Sequence, residues 1–240
     1  MKFSSPLIEA RLIERYKRFL ADVELEDGSV LTVHCPNPGA MMGLKDPGIR
    51  VWISDSQNPR RKLRHTLEMV EARAPTGPVL VGLNTMWPNR LAKEALDMDR
   101  IPQLAGFETL RTEVPYGTRS RIDILLSGGT KDDARDCYVE VKNVHLVRRA
   151  GMHEFPDCKT ERGAKHLREM AAMVEQGHRA VMLYVIQRSD GDRFSLASDL
   201  DPAYADAFVT ARDAGVEALA IRCDISLSEI SAKTLIPIVV

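Results

Sequence analysis

The sequence predicts an α/β protein, α+β overall, in which a small N-terminal β-barrel precedes an α/β domain with a mixed sheet. The first third of the chain consists of short alternating segments separated by turn residues. The rest shows a regular succession of helical and strand patterns. The chain has 240 residues, of which 44% are hydrophobic and 28% charged, which is typical of a soluble globular protein with a sizeable core.

Four short strands are expected in the first third of the chain. Residues 19–25 alternate between apolar and mostly polar side chains, which is the period of a half-buried strand. The other three strands are predicted over residues 30–34, 49–54 and 65–72. Several short strands with turn residues between them favour a small barrel or sandwich. The segment 35–43 is too rich in Pro and Gly for a regular element, and it is predicted to be a loop.

A linker is predicted at residues 74–78, because the run Ala-Pro-Thr-Gly-Pro interrupts the strand pattern. The sequence therefore predicts a small β-barrel over residues 1–78 and an α/β domain over residues 79–240.

The second domain combines three helical patterns with several strands. Residues 160–176 form the clearest helix, with Thr160 as the predicted N-cap and Gly177 at the position of a C-terminal cap. The other helices are expected at 89–98 and 202–214, and strands at 107–114, 121–126, 137–144, 180–186 and 216–221. This order predicts a mixed sheet.

The net charge, the spacing of the cysteines and the hydropathy exclude several classes of protein. The formal net charge is −1, so a polyanionic partner would need a local basic patch. The four cysteines, at positions 35, 137, 158 and 223, are too widely spaced for a zinc ribbon or a thioredoxin-type site. Free thiols favour a cytoplasmic location. No apolar run approaches the ~18 residues that cross a membrane, so no membrane partner is expected.

The most informative feature for chemistry is Asp123 in SRIDILL, followed by Glu140 and Lys142 in YVEVKNV. Residues two apart on a strand project to the same face, so Glu140 and Lys142 can converge with Asp123 from a neighbouring strand. Two carboxylates with room for water suit Mg²⁺ or Mn²⁺, which would polarise a phosphodiester and activate water. Lys142 would stabilise the developing charge. A cross-strand salt bridge at a sheet edge is the alternative.

Further candidates lie on a helix and in basic runs. Glu94, on the predicted helix 89–98, is a candidate third metal ligand, and the alternative is a solvent-exposed glutamate. Basic runs suit contact with a phosphate backbone, and the alternative is a solvated loop. The candidate nucleic-acid contacts are Arg15, Lys17, Arg18, Arg60, Arg61, Lys62, Arg64 and Arg90.

Seven segments along the whole chain resemble the sugar fermentation stimulation protein family of bacteria and archaea. They occur in the family's order in both halves of the chain. They are RYKRFLADV (15–23), HCPNPGAM (34–41), NTMWPNRLAKEAL (84–96), SRIDILL (120–126), YVEVKNV (138–144), FPDCKTERGAKHLREM (155–170) and DRFSLA (192–197).

The resemblance implies an N-terminal OB-type barrel and a C-terminal, restriction-endonuclease-like domain similar to PD-(D/E)xK nucleases. It also implies DNA binding without marked sequence preference and a link to the regulation of sugar (maltose) metabolism. Asp123, Glu140 and Lys142 fall on the nuclease-like signature, and Glu94 falls on the acidic helix position of such domains. Ala164 departs from the pattern, because related nucleases often carry Gln on that helix.

Two functions remain open from the sequence. One is a DNA-binding protein that uses the basic face of the barrel and inherits a nuclease-like fold. The other is a nuclease that depends on Mg²⁺ or Mn²⁺, as the intact set of Asp123, Glu140 and Lys142 would allow. The expected partner is DNA or RNA, and the expected state is a monomer or homodimer.

Overall fold

The computed structural model describes residues 1–75, 77–118, 120–129 and 133–239. Its N-terminal sheet has the order β3-β2-β1-β4-β5-β6. The strands are β1 (Ile8–Tyr16), β2 (Leu20–Glu24), β3 (Val30–His34), β4 (Arg50–Asp55), β5 (His65–Ala74) and β6 (Gly77–Gly82). A parallel pairing of His34 with Thr66 joins β3 to β5 and closes the first five strands into a barrel. Buried residues such as Val23, Val33 and Leu67 fill its interior, so the predicted barrel is confirmed.

The segment predicted as a linker is instead the turn of a β-hairpin. β5 and β6 pair antiparallel as far as Ala74 and Gly77. Gly77 has a φ of +118°, which residues with a side chain rarely adopt, so the glycine serves the turn. Thr76 lies outside the described residues. The N-terminal sheet continues to Gly82, so the expected boundary after residue 78 falls inside β6.

The second domain is built on a six-stranded mixed sheet with the order β15-β14-β12-β9-β8-β7. Its strands are β7 (Thr109–Tyr116), β8 (Ser120–Ser127), β9 (Cys137–Val144), β12 (Arg179–Ile186), β14 (Glu217–Ile225) and β15 (Ile230–Ile236). The strands β9, β12 and β14 run parallel, and the others pair antiparallel. The short strands β10 (Leu146–Arg149), β11 (Gly151–Phe155) and β13 (Gly191–Leu196) form a separate sheet.

In the described part of the chain, three α-helices cover the mixed sheet: α1 (Trp87–Asp97) on one face, and α2 (Glu161–Glu175) and α3 (Pro202–Asp213) on the other. The side chains of β12 alternate between them. Val181 and Leu183 pack in the cluster that contains α1, whereas Met182 and Tyr184 pack in the cluster of α2 and α3. This two-sided burial explains the continuous apolar run of β12.

The predicted helices are confirmed with small shifts at their ends. The Thr160 hydroxyl accepts a hydrogen bond from the Gly163 N–H, so Thr160 is the N-cap of α2 as predicted. Six strands were missed: β1, β6, β10, β11, β13 and β15. Within the described ranges, no helix is long and apolar enough to cross a membrane.

Candidate functional site

The strands β8 and β9 separate at the point where Asp123 and Glu140 lie. They pair from Leu126–Cys137 to Ile124–Val139, and the register ends there. Beyond this point the Asp123 carboxylate takes the place of a backbone partner, because its Oδ2 accepts a hydrogen bond of 2.8 Å from the Val141 N–H. Asp123 therefore lies at the end of the β8–β9 pairing, next to the strand that carries Glu140.

Glu140 has one oxygen fully engaged and the other without a partner. Its Oε1 accepts a hydrogen bond from Lys142 Nζ at 2.7 Å and another from His166 Nδ1. Its Oε2 is buried and has no hydrogen-bond partner. A buried carboxylate oxygen without a partner is costly, so this oxygen is available for a ligand that the site would bind.

His166 connects Glu140 to the surface of α2. Arg162 Nε donates a hydrogen bond of 3.3 Å to His166 Nε2, which leaves Nδ1 of the ring as the donor to Glu140. The helical repeat explains this geometry, because Arg162 and His166 are one turn apart on α2. The sequence placed Lys165 and His166 on this helix but did not assign either of them to the site.

The two carboxylates of the site differ in their electrostatics. Burial, and then the charge of Glu140, raise the pKa of Asp123 above its ordinary value. Burial also raises the pKa of Glu140, but the charge of Lys142 and the hydrogen bond from His166 outweigh it, so the net pKa lies below the ordinary value. Two neighbouring carboxylates that repel each other in this way favour the binding of a cation.

A cleft of about 340 Å³ opens in front of Asp123 and His166. Cationic side chains stand around it, and Lys165 Nζ is held by Ser120 Oγ at 3.1 Å. The lining residues are Glu113, Ser120, Arg121, Asp123, Arg162, Lys165 and His166. A cleft lined by both acidic and cationic side chains can hold a divalent cation and a phosphate at the same time.

The structure places Glu94 away from these carboxylates. Glu94 Oε2 pairs with the Met1 amino group at 2.5 Å, and its Oε1 pairs with Arg90 Nε at 3.6 Å. In its place, α1 contributes Asn89, whose Nδ2 donates a hydrogen bond of 2.8 Å to Asp123 Oδ1. Among the described residues, no group of three or more His, Cys, Asp or Glu side chains could hold a metal ion. The geometry thus contradicts the expectation that Glu94 completes a metal shell.

Comparison with protein families decides where the chain belongs. The model described as "SfsA N-terminal OB domain" matches residues 13–82, and the model described as "Sugar fermentation stimulation protein RE domain" matches residues 86–229. The chain belongs to the sugar fermentation stimulation protein family. The two matched ranges meet just after β6, where the N-terminal sheet ends.

Similar proteins match this family member over nearly its whole length. The sugar fermentation stimulation protein homolog of Brucella anthropi is 54% identical over 238 residues, which cover 99% of this chain and 100% of that protein. The homolog of Rhodospirillum centenum is 56% identical over 223 residues, or 93% of each chain. The solved structure of Pyrococcus furiosus SfsA in complex with Ca²⁺ has a TM-score of 0.86 and 22% identity, and the match covers 100% of this chain and 98% of that one. The predicted fold, an OB-type barrel followed by a restriction-endonuclease-like domain, is confirmed.

The predicted nucleic-acid contacts, seven in the OB domain and Arg90 on α1, fall into two groups. Arg15 and Arg64 are already engaged, since Arg15 donates to backbone carbonyls and Arg64 forms two hydrogen bonds with Asp55, at 2.7 and 2.5 Å. The remaining candidates are exposed, as Arg64 also is, and Arg90 among them pairs with Glu94; they are Lys17, Arg18, Arg60, Arg61, Lys62 and Arg90. Arg61 and Arg90 line a cleft of about 490 Å³ between the barrel and α1. Exposed cations lie on both sides of the domain junction.

The Pro- and Gly-rich loop at residues 35–43 docks the OB domain onto the second domain. The Met41 N–H donates a hydrogen bond of 3.0 Å to Asp157 Oδ2, and His145 Nε2 lies 3.2 Å from the same oxygen. A side chain at Gly39 would displace the Asp157 carboxylate, because a Cβ atom there would lie 2.4 Å from Asp157 Oδ2. Close packing between the domains thus explains the glycine at position 39.

Proposed function

We propose that this family member binds DNA without marked sequence preference. The support is an OB domain, which in many proteins binds oligonucleotides, together with exposed cations such as Lys17, Arg60 and Lys62 on its loops. Cations on loops contact phosphates, which are the same in every sequence. The binding and cleavage of RNA are compared with those of DNA.

We further propose that the restriction-endonuclease-like domain hydrolyses phosphodiester bonds with Mg²⁺ or Mn²⁺. The observation that carries this second proposal is the buried and unpartnered Oε2 of Glu140, at the end of the β8–β9 split that also holds Asp123. Such an oxygen has no structural role in the fold. The alternative of a salt bridge at a sheet edge accounts only for Oε1, and β9 is an interior strand.

The residues present fit a hard divalent cation. Two carboxylates leave most coordination positions to water and to phosphate oxygens, which is the way Mg²⁺ is usually bound. The Pyrococcus furiosus SfsA structure was determined in complex with Ca²⁺, another cation that takes oxygen ligands. Asp123 and Glu140 would hold the ion, which when bound polarises the phosphate and lowers the pKa of water.

The chain's own groups would position the substrate and balance charge. Lys142 Nζ, 2.7 Å from Glu140 Oε1, stands where it can stabilise negative charge on the phosphorus oxygens. Arg162 and Lys165 line the cleft and can bind the flanking phosphates. Asn89 and the Val141 N–H orient the two oxygens of Asp123. His166 holds Oε1 of Glu140, so that Oε2 stays directed to the ligand.

The test is a cleavage assay on linear duplex, single-stranded and branched DNA and on RNA, with Mg²⁺, Mn²⁺ or EDTA. Asp123→Asn and Lys142→Ala are the test variants. Lys233→Ala is the control, because this exposed lysine pairs with exposed Asp224 on β14. We expect metal-dependent cleavage that both test variants lose and the control keeps.

Cleavage, measured together with binding of the same nucleic acids, separates the two proposals. Binding without any cleavage, equal in the wild type and the variants, would reject the nuclease and keep the DNA-binding protein. Cleavage that persists in Asp123→Asn would move the catalytic site elsewhere. No binding of any nucleic acid at low salt would reject both proposals.

A further inference from the structure

A second cleft, of about 520 Å³, lies between the OB domain and the start of α2. The barrel contributes Arg18 and the loop around Pro38, and the second domain contributes Phe155 and the segment that leads into α2. Arg162 lines both this cleft and the cleft at Asp123. The two clefts therefore adjoin along the first turn of α2. We refer to the second one as the interdomain cleft.

The walls of the interdomain cleft combine an apolar surface with three cations, Arg18, Lys159 and Arg162, which outnumber the two acids Asp157 and Glu161. Half-buried Phe155 and exposed Pro38 supply apolar surface that suits the face of a nucleobase. Arg18 and Lys159 are exposed at its rim and suit phosphate oxygens. The volume lies within the range of pockets that enclose a small organic ligand, about 300–1,000 Å³. One nucleotide matches this combination of size, apolar wall and positive rim.

The cleft is preformed by bonds that do not involve a ligand. Asp157 is held by His145 and by the Met41 N–H, and Asn143 accepts a hydrogen bond of 2.7 Å from Gln187 Nε2. Its polar floor is therefore already paired within the chain.

Arg18 occupies a strained position at the barrel side of the cleft. Its φ is +66°, a left-handed value that costs energy in a residue with a side chain, and Lys17 beside it has a φ of +46°. Arg15 Nη2 holds the carbonyl of Arg18 at 2.8 Å. Backbone strain of this kind persists where the surrounding structure enforces it, and it is concentrated at functional sites.

We propose that the interdomain cleft binds one unstacked nucleotide of a DNA strand, next to the phosphate held at the Asp123 cleft. A base inside a cleft between two domains cannot remain paired in a duplex, and taking it out of the stack costs energy. The protein therefore prefers single-stranded DNA or frayed ends to a continuous duplex. This inference rests on the proposed DNA binding, and it adds the strand form of the substrate.

Cys158 gives a direct measure of whether the cleft is occupied. It lines the interdomain cleft and is exposed, whereas the other three cysteines, all within the described residues, are buried. Alkylation of the full-length protein by N-ethylmaleimide, followed by mass spectrometry, reports on its access. The reaction is run at mildly alkaline pH, since burial and then the charge of Asp157 raise the pKa of the Cys158 thiol.

The protein is alkylated in EDTA, alone and at saturation with a short single-stranded oligonucleotide or with the blunt duplex of the same sequence. Fluorescence anisotropy establishes saturation. We expect the single strand to slow alkylation of Cys158 by about tenfold, and the duplex to slow it by less than about twofold. If Cys158 stays as reactive at saturation with the single strand as in the free protein, the inference is overturned, although DNA binding itself stands. Equal protection by the duplex also overturns it. Absence of binding by either DNA rejects the proposed function itself.

A steric variant provides a second readout that does not depend on the thiol. Pro38→Trp places a large side chain at an exposed position of the cleft wall and leaves charge unchanged. We expect it to weaken binding of the single strand by about tenfold and of the duplex by less than about twofold. Pro47→Trp is the matched control, because Pro47 is exposed and lines neither cleft. A Pro38→Trp protein that binds the single strand like the control contradicts the proposal.

Discussion

Asn89 Nδ2 donates a hydrogen bond of 2.8 Å to Asp123 Oδ1, which makes the first turn of α1 the part of that helix that reaches the carboxylates. Glu94, further along the same helix, instead pairs with Arg90 and with the Met1 amino group. At about 100° per residue the two side chains are about 140° apart around the helix axis, so only one of them can face Asp123.

Replacing Asn89 should weaken the binding of a divalent cation, whereas replacing Glu94 should not. Asn89→Ala removes the group that orients Asp123, and loss of a hydrogen bond of this kind costs about 10–100-fold in metal affinity. Isothermal titration with Mn²⁺ measures the effect, with Glu94→Gln as the matched variant on the same helix. A larger loss of Mn²⁺ affinity in Glu94→Gln than in Asn89→Ala would restore Glu94 as a ligand.

DNA binding should depend steeply on salt. Each phosphate neutralised by the protein contributes about −0.9 to the slope of log K against log salt concentration. Arg61→Ala and Lys62→Ala should weaken the binding of all DNA sequences alike. Each should make the slope shallower by about 0.9 if its side chain contacts one phosphate. Anisotropy titrations on two unrelated sequences at several salt concentrations measure this, with Lys233→Ala as control. A preference for one short sequence that survives at high salt would contradict sequence-independent binding.

The arrangement of Asp123, Glu140 and Lys142 could be predicted because it follows from the two-residue period of a strand. Glu140 and Lys142 are on one face of β9 whatever its partners are. Which residue α1 contributes could not be predicted in the same way. Asn89 and Glu94 lie on opposite flanks of the buried stripe of Leu91, Ala92 and Ala95, so the answer depends on how the helix is placed over the sheet.

The strands that the sequence did not predict show the same limit of local sequence patterns. β1 has charged and exposed residues on both sides of Ala10 and Leu12, so its alternation is weak even though both residues are in the barrel core. The contact that closes the barrel, between His34 and Thr66, joins segments far apart in the chain. The turn at Gly77 has the composition of a linker, and only the pairing of β5 with β6 shows that it is a hairpin.

Docking of the OB domain should contribute stability that is lost in acid. Burial raises the pKa of Asp157. The hydrogen bond and charge of His145, together with the hydrogen bond from the Met41 N–H, outweigh burial and lower this pKa to about 2. A carboxyl group whose pKa is lower in the folded state stabilises the fold above its unfolded pKa of 3.8, and the contribution is lost as the pH falls towards 2. The shift corresponds to about 2 kcal/mol at neutral pH.

Asp157→Asn should therefore lower the free energy of unfolding by about 2 kcal/mol at pH 7 and by about half as much at pH 3. Urea unfolding at several pH values measures the difference from the wild type. Asp192→Asn is the control, because Asp192 is an exposed acid on β13. If the deficit of Asp157→Asn stays constant down to pH 3, the ionised carboxylate is not the origin of the stability.

Arg15 should be required both for stability and for the interdomain cleft, although the sequence assigns it to phosphate binding. Its Nη2 lies 2.8, 2.7 and 3.1 Å from the carbonyl oxygens of Arg18, Asn37 and Gly39. Arg15→Ala would leave the half-buried carbonyls of Asn37 and Gly39 unpaired, at a cost of about 1–3 kcal/mol. Arg15→Lys should recover only part of this loss of stability, because an ammonium on a flexible stem does not reproduce the position of the guanidinium.

Denaturant unfolding compares these variants with Arg11→Ala, which loses a single bond of 3.0 Å to the Gly48 carbonyl from the same strand. Because the Arg15 side chain holds Arg18 and the loop around Gly39 together, Arg15→Ala should also lose single-strand affinity more than duplex affinity. An Arg15→Ala protein as stable as Arg11→Ala but weaker on every DNA alike would mean that Arg15 contacts phosphate directly. The loop would then be held in place without Arg15, by bonds such as those from the Met41 N–H to Asp157 and from Asn37 Nδ2 to the Leu83 carbonyl.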